Sequence, residues 1–298
     1  MPDKIQIRNT FKSFQDDICL ALEKVDGCKF TEDLWLRPGG GGGKTRILKG
    51  NIIEKGGVNF SAIDGQLPES LCKLMELEPC EFFASGVSIV MHPVNPWVPI
   101  THMNIRYFET STGKWWFGGG IDLTPHYVIS EQAIYFHKAL QSVCDLHDPA
   151  YYNQFKVWAD DYFYIPHRKE TRGVGGIFFD YLGKEGDLNK DHVFNFVSDV
   201  AKAFAPTYIE LINENKDKPY TESNIEWQQL RRGRYVEFNL VYDRGTKFGL
   251  RTEGRVESIL MSLPSLARWE YDYHPKPGSL EEMTLSYLKK DIDWINLP

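Results

Sequence analysis

Most strand-like segments of this chain follow one another through turns, not through long crossover helices, and that succession restricts the fold more than any other feature. Ile47 to Phe60 reads as strands broken at Gly50 and at Gly56 and Gly57. Phe82 to Met91 and Ile100 to Phe108 read as strands. Thr110-Ser111-Thr112-Gly113 is a turn signal, and Trp115 to Phe117 returns after it as a hairpin. Val174 to Leu182 is a further strand, Tyr235 to Tyr242 reads as another by its aromatic and β-branched residues, and Gly249 to Arg251 reads as a shorter one. Strands in succession with few crossovers predict a mainly antiparallel sheet.

Between the strands lie helical patterns. Phe11, Phe14, Ile18, Leu22 and Val25 are spaced for one helical face, and Gly27 follows as a stop. Ser130 to Leu146, Ala150 to Tyr164 and His192 to Asn213 read as helices, the last with Pro206 marking a kink or restart. Ser279-Leu280-Glu281-Glu282 is a capping box opening a final helix. No internal repeat or low-complexity linker divides the chain. The expectation is an α+β fold: one domain over residues 1–298, a large mainly antiparallel sheet with helices on both faces.

Charge and cysteine usage remove whole classes of function. The formal net charge is −7, without the basic surplus of a nucleic-acid binder. The five cysteines, Cys19, Cys28, Cys72, Cys80 and Cys144, are odd in number and contain no C-x-x-C. A disulfide framework, a zinc ribbon and an iron–sulfur cluster are disfavoured, and a reducing compartment fits. No apolar run spans a bilayer, and the first residues carry no apolar signal core. The expected location is the cytoplasm, or the mitochondrial intermembrane space if a presequence has been removed. Aromatic residues make up 14% of the chain, which suits a broad flat ligand and a large sheet core equally.

Several polar groupings are candidates for chemistry. His102, Asn104 and Arg106 alternate along one strand and therefore share a face. A guanidinium there can fork onto a carboxylate, although a solvated strand face explains the pattern as well. Trp115 to Pro125 contains Gly118-Gly119-Gly120 followed by Ile121 and Asp122. Three glycines let something approach the backbone, and a carboxylate beyond them can accept N–H bonds from a ligand; a bulge with a capping Asp is the plainer reading. His167 to Asp180 and Arg231-Arg232-Gly233-Arg234, with Arg244, Arg251 and Arg255 downstream, concentrate arginine in an acidic chain, which suits a polycarboxylate ligand. Pro38 followed by Gly39 to Gly43 and Lys44 lacks the first glycine of a phosphate loop and reads instead as a mobile flap over a ligand. His92, His102, His137 and His167 match no compact metal spacing.

Taken in order, Glu32-Asp33-Leu34-Trp35, the glycine run, Gly57 to Ser61, Gly86-Val87-Ser88, His92 to Pro96, Trp115 to Pro125, Arg172 to Asp180, Arg231 to Asn239 and Arg268 to Tyr271 resemble the oxygen-dependent coproporphyrinogen III oxidase family over nearly the whole chain beyond the first helix. The resemblance implies conversion of coproporphyrinogen III to protoporphyrinogen IX in haem synthesis. Two propionates become vinyl groups, with CO2 and hydrogen peroxide released. It implies a large antiparallel sheet with flanking helices in a homodimer, molecular oxygen as co-substrate, and neither flavin nor haem. It places substrate contacts on Ser88, on Asn104, Ile105 and Arg106, and on Glu253, Gly254 and Arg255. It places a proton donor on His102 and a pyrrole-binding carboxylate on Asp122. Some bacterial members are assigned metal ligands matching His92, His102, His137 and His167. Glu253 stands where many relatives have a small residue. The interface is expected within Tyr235 to Glu270, where Ile259 to Leu263 is suited to burial. Two other readings are a tetrapyrrole carrier without catalysis and a histidine-dependent metalloenzyme acting on another substrate.

Overall fold

The computed structural model describes residues 1–297 except Ser70, Leu71, Leu74, Met75, Asp187, Thr252 and Glu253, and of Arg251 only the backbone. Seven strands form one antiparallel sheet: β1 (Thr31–Leu36), β2 (Gly41–Leu48), β3 (Ile53–Gln66), β4 (Glu81–Pro93), β5 (Ile100–Thr110), β6 (Trp115–Thr124) and β9 (Gly175–Leu182). Their spatial order follows the chain, with β9 added beside β6. A separate two-stranded ribbon pairs β7 (Tyr164–Ile165) with β8 (Glu170–Thr171).

The sheet's two faces differ because side chains alternate along each strand. One face carries Val58 and Phe60 on β3, Val87, Ile89 and Met91 on β4, and Met103, Ile105 and Tyr107 on β5. Phe117, Ile121 and Leu123 on β6 and Ile177 and Phe179 on β9 continue it. All are buried under helices α1 (Lys4–Asp26), α2 (Ser130–Asp145), α3 (Tyr151–Tyr162) and α4 (Lys190–Asn215). In α1 the apolar residues Ile7, Phe11, Phe14, Ile18 and Leu22 recur at three- and four-residue spacing, and each fully buried side chain contributes roughly 1.5–3 kcal/mol. Asp3 caps the helix by accepting the Gln6 N–H, and Gly27, at φ 86°, ends it in the left-handed conformation that glycine tolerates.

The other face is covered in part by α5 (Glu222–Val241), whose Tyr235 packs with Val90 and Ile100 and whose Phe238 packs with Phe163 and Phe178. Helix α3 wraps the β9 edge, with Phe155 on the core side and Ala159 on the α5 side. After α5 come α6 (Arg244–Arg251), α7 (Val256–Leu260), an extended strap, and α8 (Leu280–Tyr287), which Ser279 caps through the Glu282 N–H.

Five expectations need correction. Tyr235 to Tyr242 is the end of α5, and Gly249 to Arg251 belongs to α6. The buried positions Trp227, Arg231, Tyr235 and Phe238 have helical spacing, but two arginines, Arg231 and Arg232, lie in that stripe and hide its apolar period. Gly56 and Gly57 do not break β3; a Cβ at Gly57 would lie 2.6 Å from the Met261 sulfur, which takes that space. Gly41 to Gly43 are not a flap but the start of β2, where a Cβ at Gly43 would meet the Trp35 ring at 2.3 Å. Pro206 sits inside a helix that continues from Lys190 to Asn215.

Candidate active site

The face opposite the main core is built from small and polar side chains. In register across the strands lie Thr45 and Asn59, then Ser88, Asn104 and Gly120. Beside them are Gly86, Arg106 and Gly118 on one side and Val90, His102 and Asp122 on the other. His102, Asn104 and Arg106 therefore share a face, as their alternation predicts, and each is half-buried while Met103 and Ile105 point into the core. Ile105 thus presents no side chain to this face.

Asp122 is the charged centre of the face and is 1% exposed. Its Oδ1 accepts from His102 Nδ1 at 2.8 Å and from Arg172 Nη2 at 2.7 Å, and its Oδ2 accepts from the same Nη2 at 2.7 Å. Arg172 Nη1 donates to Asn239 Oδ1 at 2.8 Å. The guanidinium lies 4.5–4.6 Å from the ring centroids of Phe163, Tyr235 and Phe238. A buried guanidinium among π-faces is offset by cation–π attraction and by its carboxylate. Burial would push the Asp122 carboxyl up; the Arg172 charge and the His102 hydrogen bond outweigh it and hold the group below its usual range. Conversely, burial would lower Arg172, but Asp122 outweighs it and raises the guanidinium. Asp122 is ionised and can only accept, so His102 carries its proton on Nδ1 and turns Nε2 away from the carboxylate. Protein donors already engage both Asp122 oxygens, two on Oδ1 and one on Oδ2. His102 is half-buried on this face, whereas Asp122 beneath it is buried.

Arg106 is held on two sides. Its Nη1 donates to Asn104 Oδ1 at 3.2 Å, and its Nη2 lies 2.7 Å from Asp180 Oδ2. At the far end of the face Arg255 pairs with Asp33 of β1, and Thr45 hydrogen-bonds Asn59 and Ser258. Gly254 lies at the α6–α7 joint, where its N–H donates to Gly249 O at 2.8 Å. Glu253 lies outside the described residues. Arg172, Asn239 and Asp180 are partners that sequence reasoning passed over. Their one signal was membership of the arginine- and glycine-rich runs.

The four histidines do not form one metal site. His92 is buried, bonds Ser262 O through Nε2 at 2.8 Å, and burial drives it down to about 3. His137 sits in the helical layer behind the sheet, with both ring nitrogens bonded, to Tyr152 Oη and Val174 O at 2.9 Å each. His167, at the β7–β8 turn, bonds Tyr242 Oη and Glu237. Among the described residues no three His, Cys, Asp or Glu side chains converge to hold a metal ion.

A family model described as coproporphyrinogen III oxidase matches residues 6–294, nearly the whole chain. The chain belongs to the coproporphyrinogen III oxidase family. It is 52% identical over 297 residues to the oxygen-dependent coproporphyrinogen-III oxidase of Drosophila melanogaster, covering 94% of this chain and 75% of that protein. It is 47% identical over 309 residues to coproporphyrinogen-III oxidase 1, chloroplastic, of Arabidopsis thaliana, covering 98% and 79%. The oxygen-dependent coproporphyrinogen-III oxidase of Prochlorococcus marinus is 47% identical over 315 residues, covering 97% of this chain and 92% of that one.

Proposed function

We propose that this chain oxidatively decarboxylates two propionates of coproporphyrinogen III to vinyl groups with molecular oxygen, giving protoporphyrinogen IX, CO2 and hydrogen peroxide in haem synthesis. One observation carries the reading at the level of geometry: a broad sheet face of small side chains bears the His102–Asp122–Arg172 group, with guanidinium side chains on either side. Arg106 on β5 and the Arg255–Asp33 pair on β1 are four strand spacings apart, roughly 19 Å, which suits a disc with carboxylates on its rim.

In this reading Arg106 receives the reacting propionate and fixes its orientation. His102, with Nδ1 held by Asp122, moves protons at Nε2 between substrate and reduced oxygen. Asp122 stabilises positive charge as it develops on His102 and, through the low-dielectric interior, on the electron-rich pyrrole above. Arg172 keeps Asp122 ionised and Asn239 keeps Arg172 in place. Ser88 and Asn104 line the face beneath the macrocycle. A carrier needs the guanidinium groups but has no use for a buried carboxylate aligned on an imidazole, so that alignment favours catalysis.

The proposed reaction uses no flavin or haem, and no metal is routed through His92, His102, His137 and His167, because among the described residues they do not converge with other ligating side chains on one site. The chain acts as a single domain in a homodimer in the cytoplasm; no described helix is long and apolar enough to cross a membrane. Oxygen uptake with coproporphyrinogen III is the test. Exhaustively chelated protein should consume oxygen, form the divinyl product, and stop completely under anaerobic conditions. Turnover that persists without oxygen, or that vanishes on chelation and returns only with one added metal, overturns the reading.

A further inference from the structure

Arg106 reaches across a neighbouring strand to find its counter-ion. It lies opposite Gly118 in the β5–β6 register, and Asp180 lies beyond on β9. A Cβ at Gly118 would stand 2.5 Å from Asp180 Oδ1 and 2.7 Å from Arg106 Nε, so the pair occupies the room this glycine leaves. Tyr181 adopts φ 54°, a left-handed conformation that is costly for a bulky residue, and its N–H donates to Asp180 Oδ1 at 2.9 Å. Two independent local sacrifices, a side chain at 118 and an ordinary backbone at 181, aim one carboxylate at one guanidinium. Asp180 touches neither His102 nor Asp122.

We propose that Asp180 is a positioning residue that orients Arg106 and divides its charge, so that the substrate propionate is held firmly enough to be placed but not so firmly that it cannot leave as CO2. The proposal rests on Arg106 receiving that propionate. In the reaction the bond from the carboxylate to its methylene carbon breaks, and its electron pair becomes the vinyl π bond. The adjacent methylene loses a hydrogen with its bonding electrons to oxygen, which with one further proton becomes hydrogen peroxide. The negative charge on the carboxylate disappears along this path. A guanidinium acting on it with undivided charge stabilises the bound carboxylate more than the transition state, which lowers KM and kcat together. A carboxylate already on Nη2 takes part of that attraction, while the remaining N–H groups of Arg106 stay available.

Asp180→Asn keeps the shape and the acceptor for Tyr181 N–H while removing the charge. Affinity is measured by anaerobic titration with coproporphyrinogen III, and the chemical step by single-turnover release of labelled CO2 at saturating oxygen. The expected result is about three- to tenfold tighter binding with a comparable fall in the release rate, leaving kcat/KM nearly constant. In an Arg106→Ala background the substitution should change neither quantity. Looser or unchanged binding, an unchanged rate, or the same changes without Arg106 would overturn the proposal. If Arg106→Ala alone leaves kcat/KM near normal, the fault lies instead with the role given to Arg106. A thermal melt on each variant guards against misfolding, and Asp180→Glu, if it folds where Asn does not, should restore the wild-type balance of binding and rate.

Discussion

Asp122 has almost no contact with water, yet it holds a full negative charge because Arg172 and His102 are fixed against it. Asp122→Asn should lower kcat by roughly two to four orders of magnitude with affinity little changed, since an amide can no longer hold His102 in one tautomer or balance its charge. The same change leaves Arg172 buried without a counter-ion, costing about 3–5 kcal/mol of stability. Kinetics, a melt and the His102 Nδ1 proton resonance, read on one preparation, separate the two effects. A destabilised variant that turns over normally and keeps that resonance removes Asp122 from the chemistry. The pH dependence has a definite sign. The folded value is depressed below 3.8, so the carboxylate's contribution is present above that value and is lost as pH falls through the lower folded one. Acid unfolding linked to Asp122 therefore belongs below about pH 4, and the Asn variant should lack it. The shared face of His102, Asn104 and Arg106 was legible because alternation is a local rule. Arg172 was not, because its partner stands 50 residues away along the chain and only the tertiary fold brings them together.

A strand turns three identical residues into two kinds of position. Gly118 and Gly120 face the site, whereas Gly119 faces the core, where a Cβ would lie 2.6 Å from Asn104 O and 2.9 Å from Phe179. Gly118→Ala meets only side-chain ends, those of Arg106 and Asp180, which can yield. It should fold with a Tm near that of the parent while kcat/KM falls at least tenfold, because Arg106 is displaced. Gly119→Ala must move backbone or a core ring and should lose about 1–3 kcal/mol of stability. Thermal melts and steady-state kinetics on both variants check this; equal effects on the two would mean that the faces are not separated as described. At this scale the sequence was readable wherever one period dominated. It failed for Tyr235 to Tyr242, where the buried stripe of α5 mixes arginine and asparagine with aromatic residues. It failed also for Gly41 to Gly43, where glycine marks a close approach by Trp35 and not a loose loop.

The whole molecule leaves an unfinished surface. Leu240, Val241, Phe248, Leu250, Val256, Leu266 and Trp269 are each 41–60% exposed and fall within 30 residues of chain, from the end of α5 to the strap. The expected interface over Tyr235 to Glu270 needs trimming. Tyr235 and Phe238 are wholly buried inside this chain, and Met261 packs over Gly57, so neither the start of that segment nor the centre of Ile259 to Leu263 is free to meet a partner. What remains is a row of solvent-facing apolar side chains interspersed with exposed Arg244, Lys247, Glu257 and Glu270, the mixture of apolar and polar groups expected of an interface between copies. It also borders the site, because α7 begins at Val256 directly after Arg255, whose side chain pairs with Asp33. A second copy packed here would bury these side chains and steady the arm that carries Arg255. Sedimentation at micromolar concentration should therefore show a dimer, and a charge in the middle of the patch should dissociate it. Val256→Glu suits the purpose, since it places a carboxylate in the first turn of α7, where the helix tolerates it and an apolar interface does not. The expected variant is a folded monomer with weakened substrate affinity and an undisturbed His102–Asp122 pair. Wild-type protein that sediments as a monomer, or a Val256→Glu variant that remains a dimer, would place the interface elsewhere.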